Sequence, residues 1–199
     1  MDRKFTGVML VLAVLLVIPL QGYAATPMET IETGVNKVIE KLSQPGFKDQ
    51  AKDVQISQLS DLISTIFDFE ELSKRTMGRE WKKMNAGQQK EFVQLFRELL
   101  QGVYADRLLA YSDQKVLFDK ETMLKEGAAE VQSYLQTSDG KKIPLFYRLT
   151  DKSGSWRVYD VIIEGVSMVK NYRTQFREIL AKDSPEKLLQ ILREKTSKS

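Results

Sequence analysis

The chain has 199 residues and a net charge of +3, and it contains neither histidine nor cysteine. Without these residue types, Ser-His-Asp and Cys-His catalytic arrangements cannot be built, disulfides cannot form, and a transition-metal site loses its favoured ligands. General acid–base catalysis would fall to carboxylates, Lys or Tyr. The composition therefore argues against most classes of enzyme, and we expect neither a metal nor another cofactor.

The first 24 residues have the pattern of a secretory signal peptide. Arg3 and Lys4 precede the apolar run Phe5–Leu20, and the small residues Gly22 and Ala24 suit cleavage after Ala24. The alternative is an uncleaved membrane anchor, but a spanning helix needs about 20 apolar residues and this run has 16. We therefore expect a secreted, soluble protein of the bacterial periplasm.

Helical periodicity extends over residues 26–111 of the chain. A first apolar stripe ends at the helix-breaking pair Pro45–Gly46, and a second helix is predicted from about Lys48 to Phe67. The first stripe consists of Ile31, Val35, Val38 and Leu42.

Two capping-box patterns predict where the next helices begin. Asp68 with Glu71 starts a helix that should end near Gly78, and Asn85 with Gln88 opens the strongest helix in the chain. The apolar stripe of that helix is wide and partly aromatic, and it consists of Phe92, Leu95, Phe96, Leu99, Leu100, Val103, Tyr104, Leu108 and Tyr111.

After Ser112 the apolar residues alternate with a period of two, which is typical of strands. Turn residues at 138–140 and 151–154 predict short loops, so the strands should be antiparallel neighbours. The last strand is apolar on both faces near its end, and we expect it at the centre of the sheet. The predicted strands are Lys115–Phe118, Ala128–Thr137, Lys141–Thr150 and Ser155–Ile163.

Helical patterns return at Val166–Leu180 and from Pro185 to about Lys195, with Ser184 as the cap of the second. The fold class predicted is α+β, with a curved antiparallel sheet packed by helices. We expect a signal peptide at 1–24 and one domain at 25–199. Within that domain the helical part covers about 26–111, the sheet about 115–163 and the closing helices about 166–195.

Charge is unevenly distributed along the chain. Residues 25–140 have a net charge of −4, and residues 141–199 have a net charge of +6. A basic end of this size could meet phosphate head groups or an acidic partner, or it could be an ordinary solvated surface. For an exported protein, a net charge of +6 over residues 141–199 is too small to indicate nucleic acid as a partner.

Several segments of the mature chain together resemble one protein family, the MlaC proteins, also called the toluene-tolerance or periplasmic phospholipid-binding family. The resemblance covers essentially the whole mature chain, and the segments around Trp81 and Trp156 are specific as a pair. The matching residues are Phe67-Asp68-Phe69, Gly78-x-x-Trp81-Lys82, Gln88-Gln89, Phe92-x-x-x-Phe96, Leu99-Leu100, Tyr104-Ala105, Trp156-Arg157-Val158-Tyr159-Asp160-Val161, Glu164-Gly165-Val166-Ser167-Met168, Asn171-Tyr172-Arg173 and Gln175-Phe176.

This resemblance implies a fold and a function. The fold would be an NTF2-like cone of sheet and helices with a helical subdomain, enclosing an apolar cavity for phospholipid tails. The function would be to shuttle lipid between an outer-membrane lipoprotein complex and an inner-membrane ABC transporter, which maintains outer-membrane lipid asymmetry. The protein would act as a monomer and not as an enzyme.

Two groups of candidate site residues follow from the apolar faces, the basic end and the resemblance. The first group would contact acyl chains and consists of Phe92, Phe96, Leu99, Val103, Tyr104, Val131, Leu135, Leu145, Tyr147, Tyr159, Val161, Met168 and Tyr172. The second group would lie at the pocket mouth or on a docking surface and consists of Arg148, Arg157, Lys170, Arg173 and Arg177.

Three alternatives stay open at the level of sequence. The same fold could carry a hopanoid or another apolar lipid instead of a phospholipid. An NTF2-like enzyme could use Asp160 with Tyr159, or Asp160 and Glu164 as an acid–base pair, although capping of the following helix is the favoured role for these carboxylates. A periplasmic adaptor would have a solid core and no cavity.

Overall fold

The computed structural model describes residues 25–152 and 154–197. The predicted signal peptide lies outside these residues. Within them, no helix is long and apolar enough to cross a membrane. The elements are α1 (Pro27–Leu42), α2 (Lys52–Ile66), α3 (Phe69–Met77), a 3₁₀ helix (Gly78–Lys83), α4 (Ala86–Leu109), β1 (Lys115–Lys125), β2 (Ala128–Gln136), β3 (Lys142–Lys152), β4 (Ser155–Ile163), β5 (Val166–Ser167), α5 (Met168–Leu180) and α6 (Pro185–Thr196).

The helices begin where side chains satisfy the free backbone N–H groups of the first turn. At α4, Gln88 N donates to Asn85 Oδ1 at 3.0 Å and Asn85 N donates to Gln88 Oε1 at 2.9 Å, so the predicted capping box is complete. At α3 only half of the predicted box forms. Asp68 Oδ1 accepts from Glu71 N at 2.9 Å, but the Glu71 carboxylate accepts instead from Arg75 Nε at 2.7 Å.

The predicted α+β class is confirmed, with the five strands forming one antiparallel sheet in the order β1-β2-β3-β4-β5. β1 extends beyond its predicted end at Phe118. Register shifts between Phe118 and Lys120 and between Met123 and Lys125 interrupt the alternation of apolar and polar residues, so the pattern indicated only the first part of the strand. The predicted central place of β4 is wrong. β4 lies next to the two-residue β5 near the sheet edge, and it is apolar on both faces because helices pack against both sides.

The last two elements differ little from prediction. α5 begins at Met168 rather than at Val166, because Val166 and Ser167 pair with Ile163 and Ile162 as β5. Ser167 then caps α5 by accepting from Lys170 N at 3.1 Å.

The buried apolar residues form two cores. The helical core joins α3, α4, α5 and α6, and the sheet core joins α1 and α2 to the inner face of the sheet. α1 and α2 approach closely at Gly34, where a Cβ would lie 2.7 Å from the Ile66 side chain. This contact fixes the two helices as a pair over the sheet.

Candidate functional site

A largely apolar cavity of about 500 Å³ lies between the sheet, α1, α2 and the C-terminal half of α4. Its α1 and α2 walls are aliphatic apart from Ser60, and most of its lining surface is apolar. The residues around it include Ile31, Val35, Val38, Ile39, Leu42, Ile56, Leu59, Ser60, Ile63, Ile66, Phe67, Phe69, Arg97, Leu100, Gln101, Tyr104, Ala105, Arg107, Leu108, Tyr111, Val116, Leu135, Ile143, Leu145, Tyr147, Val161, Ile163, Glu164 and Met168.

The strand residues in this lining follow from alternation and register. Leu145 pairs with Ile163 and Tyr147 pairs with Val161, so these side chains share the inner face of the sheet. Of the residues predicted to contact acyl chains, those that line the cavity are Tyr104, Leu135, Leu145, Tyr147, Val161 and Met168.

Three aromatic residues predicted to line the cavity lie in the helical core instead. Phe92 and Phe96 are fully buried there, and Tyr172 is 7% exposed. The Phe96 ring centroid is 5.0 Å from that of Tyr172 and 5.3 Å from that of Phe176. The N-terminal part of α4 therefore faces α5 and α6, and among the described residues of this helix those that line the cavity begin at Arg97.

Four more predicted lining residues are also placed outside the cavity lining. Leu99 packs against the helical core, and Val103 is 47% exposed. Val131 is fully buried in the sheet core. Tyr159 lies beneath the Arg75 guanidinium, whose central carbon is 3.8 Å from the ring centroid.

Sequence reasoning missed the walls that α1 and α2 contribute. Their apolar stripes were visible in the sequence, but a stripe alone does not say whether its partner is a packed core or a cavity. It also missed Arg97, Gln101 and Arg107, which line the cavity from α4. Their positions on the same helix face as Leu100, Tyr104 and Leu108 were the available signal.

Tyr147 provides a buried phenol in the cavity wall. Burial raises the pKa of Tyr147 well above its ordinary value, while a hydrogen bond with the Ser133 side chain acts in the opposite direction. Ser133 Oγ itself donates to the Leu145 carbonyl oxygen at 2.5 Å. The phenol therefore stays neutral at physiological pH and presents no charge to an apolar ligand.

The cations predicted at the pocket mouth do not line the cavity, and three of them are engaged elsewhere. Arg148 Nε donates to Glu130 at 3.0 Å on the outer face of the sheet. Arg157 donates to the Thr65 carbonyl oxygen, and Arg173 donates to the Arg75 carbonyl oxygen. Lys170 and Arg177 are exposed on α5, where a docking role stays a prediction.

Asp160 is buried and holds the start of α5. Its Oδ1 accepts from Val169 N at 3.0 Å, its Oδ2 accepts from Ser167 Oγ at 2.6 Å, and Arg148 Nη1 is 3.9 Å from Oδ2. Because Val161 lines the cavity, Asp160 faces the opposite side of β4. The carboxylate is therefore placed as a helix cap, as the favoured interpretation of the sequence had it, and away from the cavity.

Asp160→Ala is expected to lower the free energy of unfolding by about 2–4 kcal/mol, because it leaves a buried N–H and hydroxyl without their acceptor. Urea unfolding measures this loss. The folded fraction should retain as much lipid in native mass spectrometry as the wild type does. A selective loss of ligand at unchanged stability would contradict the capping role.

Comparisons with known proteins agree on one family. The family model described as MlaC protein matches residues 32–194. The intermembrane phospholipid transport system binding protein MlaC of Haemophilus influenzae is 26% identical over 191 residues, covering 89% of each chain. The toluene tolerance protein ttg2D of Pseudomonas putida is 25% identical over 177 residues, covering 86% of this chain and 81% of that one.

A solved structure extends the likeness to three dimensions. It is a phospholipid-binding protein from Ralstonia solanacearum in complex with a phospholipid. It superposes with a TM-score of 0.80 at 26% identity, covering 87% of this chain and 98% of that one. Because the MlaC family model spans most of the chain, the protein described here belongs to the MlaC family.

Proposed function

We propose that the protein is a carrier that holds phospholipid acyl chains in the apolar cavity. The observation that carries this proposal is the cavity itself, lined mainly by apolar residues of the helices and the inner face of the sheet in a chain of the MlaC family. The phospholipid bound to the Ralstonia solanacearum protein supports the choice of ligand.

The energetics explain why a carrier needs such a cavity. Each methylene group is favoured by roughly 0.8 kcal/mol in an apolar site over water. Two long acyl chains therefore oppose transfer through water by roughly 20 kcal/mol or more. A cavity that is mainly apolar removes most of this barrier. Because most of its lining surface is apolar, few hydrogen bonds hold the lipid, and the chains can be released.

The cavity volume limits what fits inside the protein as described. Its 500 Å³ lies in the lower half of the roughly 300–1,000 Å³ range of pockets for drug-sized ligands. A diacyl lipid needs the top of that range or more. Two long chains thus require the cavity to widen or the chains to extend through its mouth.

We place this transfer in the periplasm, between an outer-membrane lipoprotein complex and an inner-membrane ABC transporter. The signal-peptide pattern of residues 1–24 supports export. The name of the Haemophilus influenzae relative, a binding protein of an intermembrane phospholipid transport system, supports the route. The protein acts there as a monomer and catalyses no reaction.

Native mass spectrometry of the mature protein purified from its own periplasm tests the proposal. We expect a mass increment equal to one phospholipid or more, and transfer of labelled phospholipid between donor and acceptor vesicles. A protein that carries no lipid and transfers none would overturn the proposal. Extraction of the ligand separates a phospholipid from a triterpenoid such as a hopanoid, the alternative cargo for the same cavity.

A further inference from the structure

A polar groove continues the apolar cavity on the side where α2 faces α4. The groove has a volume of about 580 Å³ and lies between these two helices. Four residues line both the cavity and the groove, so the two are contiguous at this point. These shared residues are Ile56, Ser60, Arg97 and Gln101.

Arg97 is the one cation among the residues that line both spaces, and its charge has no carboxylate partner within 4 Å in the described part of the chain. Its Nη2 donates to Ser60 Oγ at 3.2 Å, and its guanidinium lies 5.5 Å from the Phe69 ring centroid. By contrast, Arg75 and Arg148 each form an ion pair with a glutamate.

A guanidinium has five N–H donors in a planar fork that matches a phosphate group. Arg97 uses one of them in the hydrogen bond to Ser60. Gln101 lies one helical turn further along α4 and adds an amide at the same junction. The Ser60 contact and the Phe69 ring hold the guanidinium in place, which lowers the entropy lost when an anion binds.

Beyond this junction the groove is acidic. Asp53, Asp61 and Glu98 line it, and among the described residues that line it Arg97 is the only cation. Glu98 accepts a hydrogen bond from Gln94 at 3.1 Å. Three carboxylates in a shared groove favour a small cation and disfavour a second anionic group.

The chemistry therefore changes in order along one path: a largely apolar cavity, a cation at the junction, and an acidic groove. A zwitterionic phospholipid has the same order of groups, namely acyl chains, phosphodiester and ammonium. We infer that the cargo phosphodiester binds Arg97, Ser60 and Gln101, and that its ammonium group lies in the groove lined by Asp53, Asp61 and Glu98. The inference rests on the proposed function, and it makes head groups with an ammonium the preferred cargo over purely anionic ones.

A competition experiment tests this preference. The delipidated mature protein is incubated with vesicles containing equal amounts of phosphatidylethanolamine and phosphatidylglycerol with identical acyl chains, and native mass spectrometry counts the bound lipid of each type. We expect phosphatidylethanolamine to exceed phosphatidylglycerol by roughly tenfold, the ratio that one added charge-assisted interaction provides. Equal loading would overturn the assignment of the acidic groove.

Charge-removing variants separate the two parts of the site. Arg97→Gln should lower retention of both phospholipids by roughly tenfold, and Arg97→Lys should restore part of it. The double variant Asp61→Asn, Glu98→Gln should bind phosphatidylglycerol as well as phosphatidylethanolamine. Arg79→Gln, at an exposed position of the 3₁₀ helix outside both the cavity and the groove, is the matched control and should behave as the wild type does.

Two further ligands identify the group that Arg97 contacts. Diacylglycerol with the same chains has no phosphate, so Arg97→Gln should leave its binding unchanged. Glycerophosphoethanolamine has no chains and should not compete at equal concentration, which separates a lipid site from a site for free phosphate esters. Equal effects of Arg97→Gln on phospholipid and diacylglycerol would overturn the phosphate assignment. If the wild-type protein binds neither phospholipid nor diacylglycerol, the proposed function itself fails.

Discussion

Phe96→Ala is expected to lower the free energy of unfolding by about 3–5 kcal/mol. The Phe96 side chain is fully buried, and its ring contacts Phe92, Tyr172 and Phe176 at centroid distances of 5.5, 5.0 and 5.3 Å. Truncation removes these contacts and leaves a void that the surrounding rings cannot fill. Urea unfolding at constant pH measures the loss.

Tyr104→Ala provides the comparison on the same helix. Tyr104 is half-buried, lines the cavity and also packs against the edge of the helical core, so its truncation removes fewer contacts and mainly enlarges a space that already exists. We expect a loss below about 2 kcal/mol, together with weaker lipid retention. Folded Phe96→Ala protein should instead retain lipid as the wild type does. A loss of ligand from folded Phe96→Ala protein would contradict the placement of this residue outside the cavity.

Leu145→Glu is expected to lower lipid retention at least ~100-fold, because an ionised carboxylate next to acyl chains is costly in an apolar environment. Leu145 lies on the inner face of β3 and lines the cavity beside Ile163. It is half-buried, so water can hydrate the new carboxylate in the empty protein. Native mass spectrometry after loading from phospholipid vesicles measures the effect.

The neighbouring residue on β3 supplies a matched control. Phe146 is also half-buried but faces the other side of the sheet, with its ring 6.3 Å from that of Tyr134. Phe146→Glu should therefore retain lipid. Leu145→Gln, which is polar but uncharged, should lose less lipid than Leu145→Glu does. This comparison separates the effect of the charge from any effect of a polar side chain on folding. Equal loading of Leu145→Glu and Phe146→Glu would show that this face of the sheet does not hold the ligand.

Local signals predicted most of the secondary structure. The caps at Asp68, Asn85 and Ser184 gave correct helix starts because such hydrogen bonds involve neighbours three residues apart. β4 was predicted with the bounds that the structure has, Ser155–Ile163. The predicted central position of β4 was wrong. Helices can cover both faces of a strand that is not central, and the order of strands in a sheet does not depend on local sequence.

The cavity lining was harder to predict, for a physical reason. The apolar stripe of α4 is continuous from Phe92 to Leu108, yet its first part packs in the helical core, Leu100 and Tyr104 contact both the core and the cavity, and Leu108 lines the cavity. Periodicity identifies a buried face but not the element that it meets. Strand alternation was more informative, because Leu145, Tyr147 and Val161 had to share one face of the sheet.

The irregular course of β1 affects whether copies of the protein associate through their sheet edges at high concentration. In the described residues no further strand pairs with the outer edge of β1, and an unpaired edge is a template for intermolecular sheet growth. The two register shifts in β1 break the regular row of hydrogen-bonding groups along that edge, and the strand also carries charged side chains, including Lys115, Lys120 and Lys125. Edge-to-edge polymerisation of the protein is thereby opposed by the same irregularities that hid the length of this strand from sequence prediction.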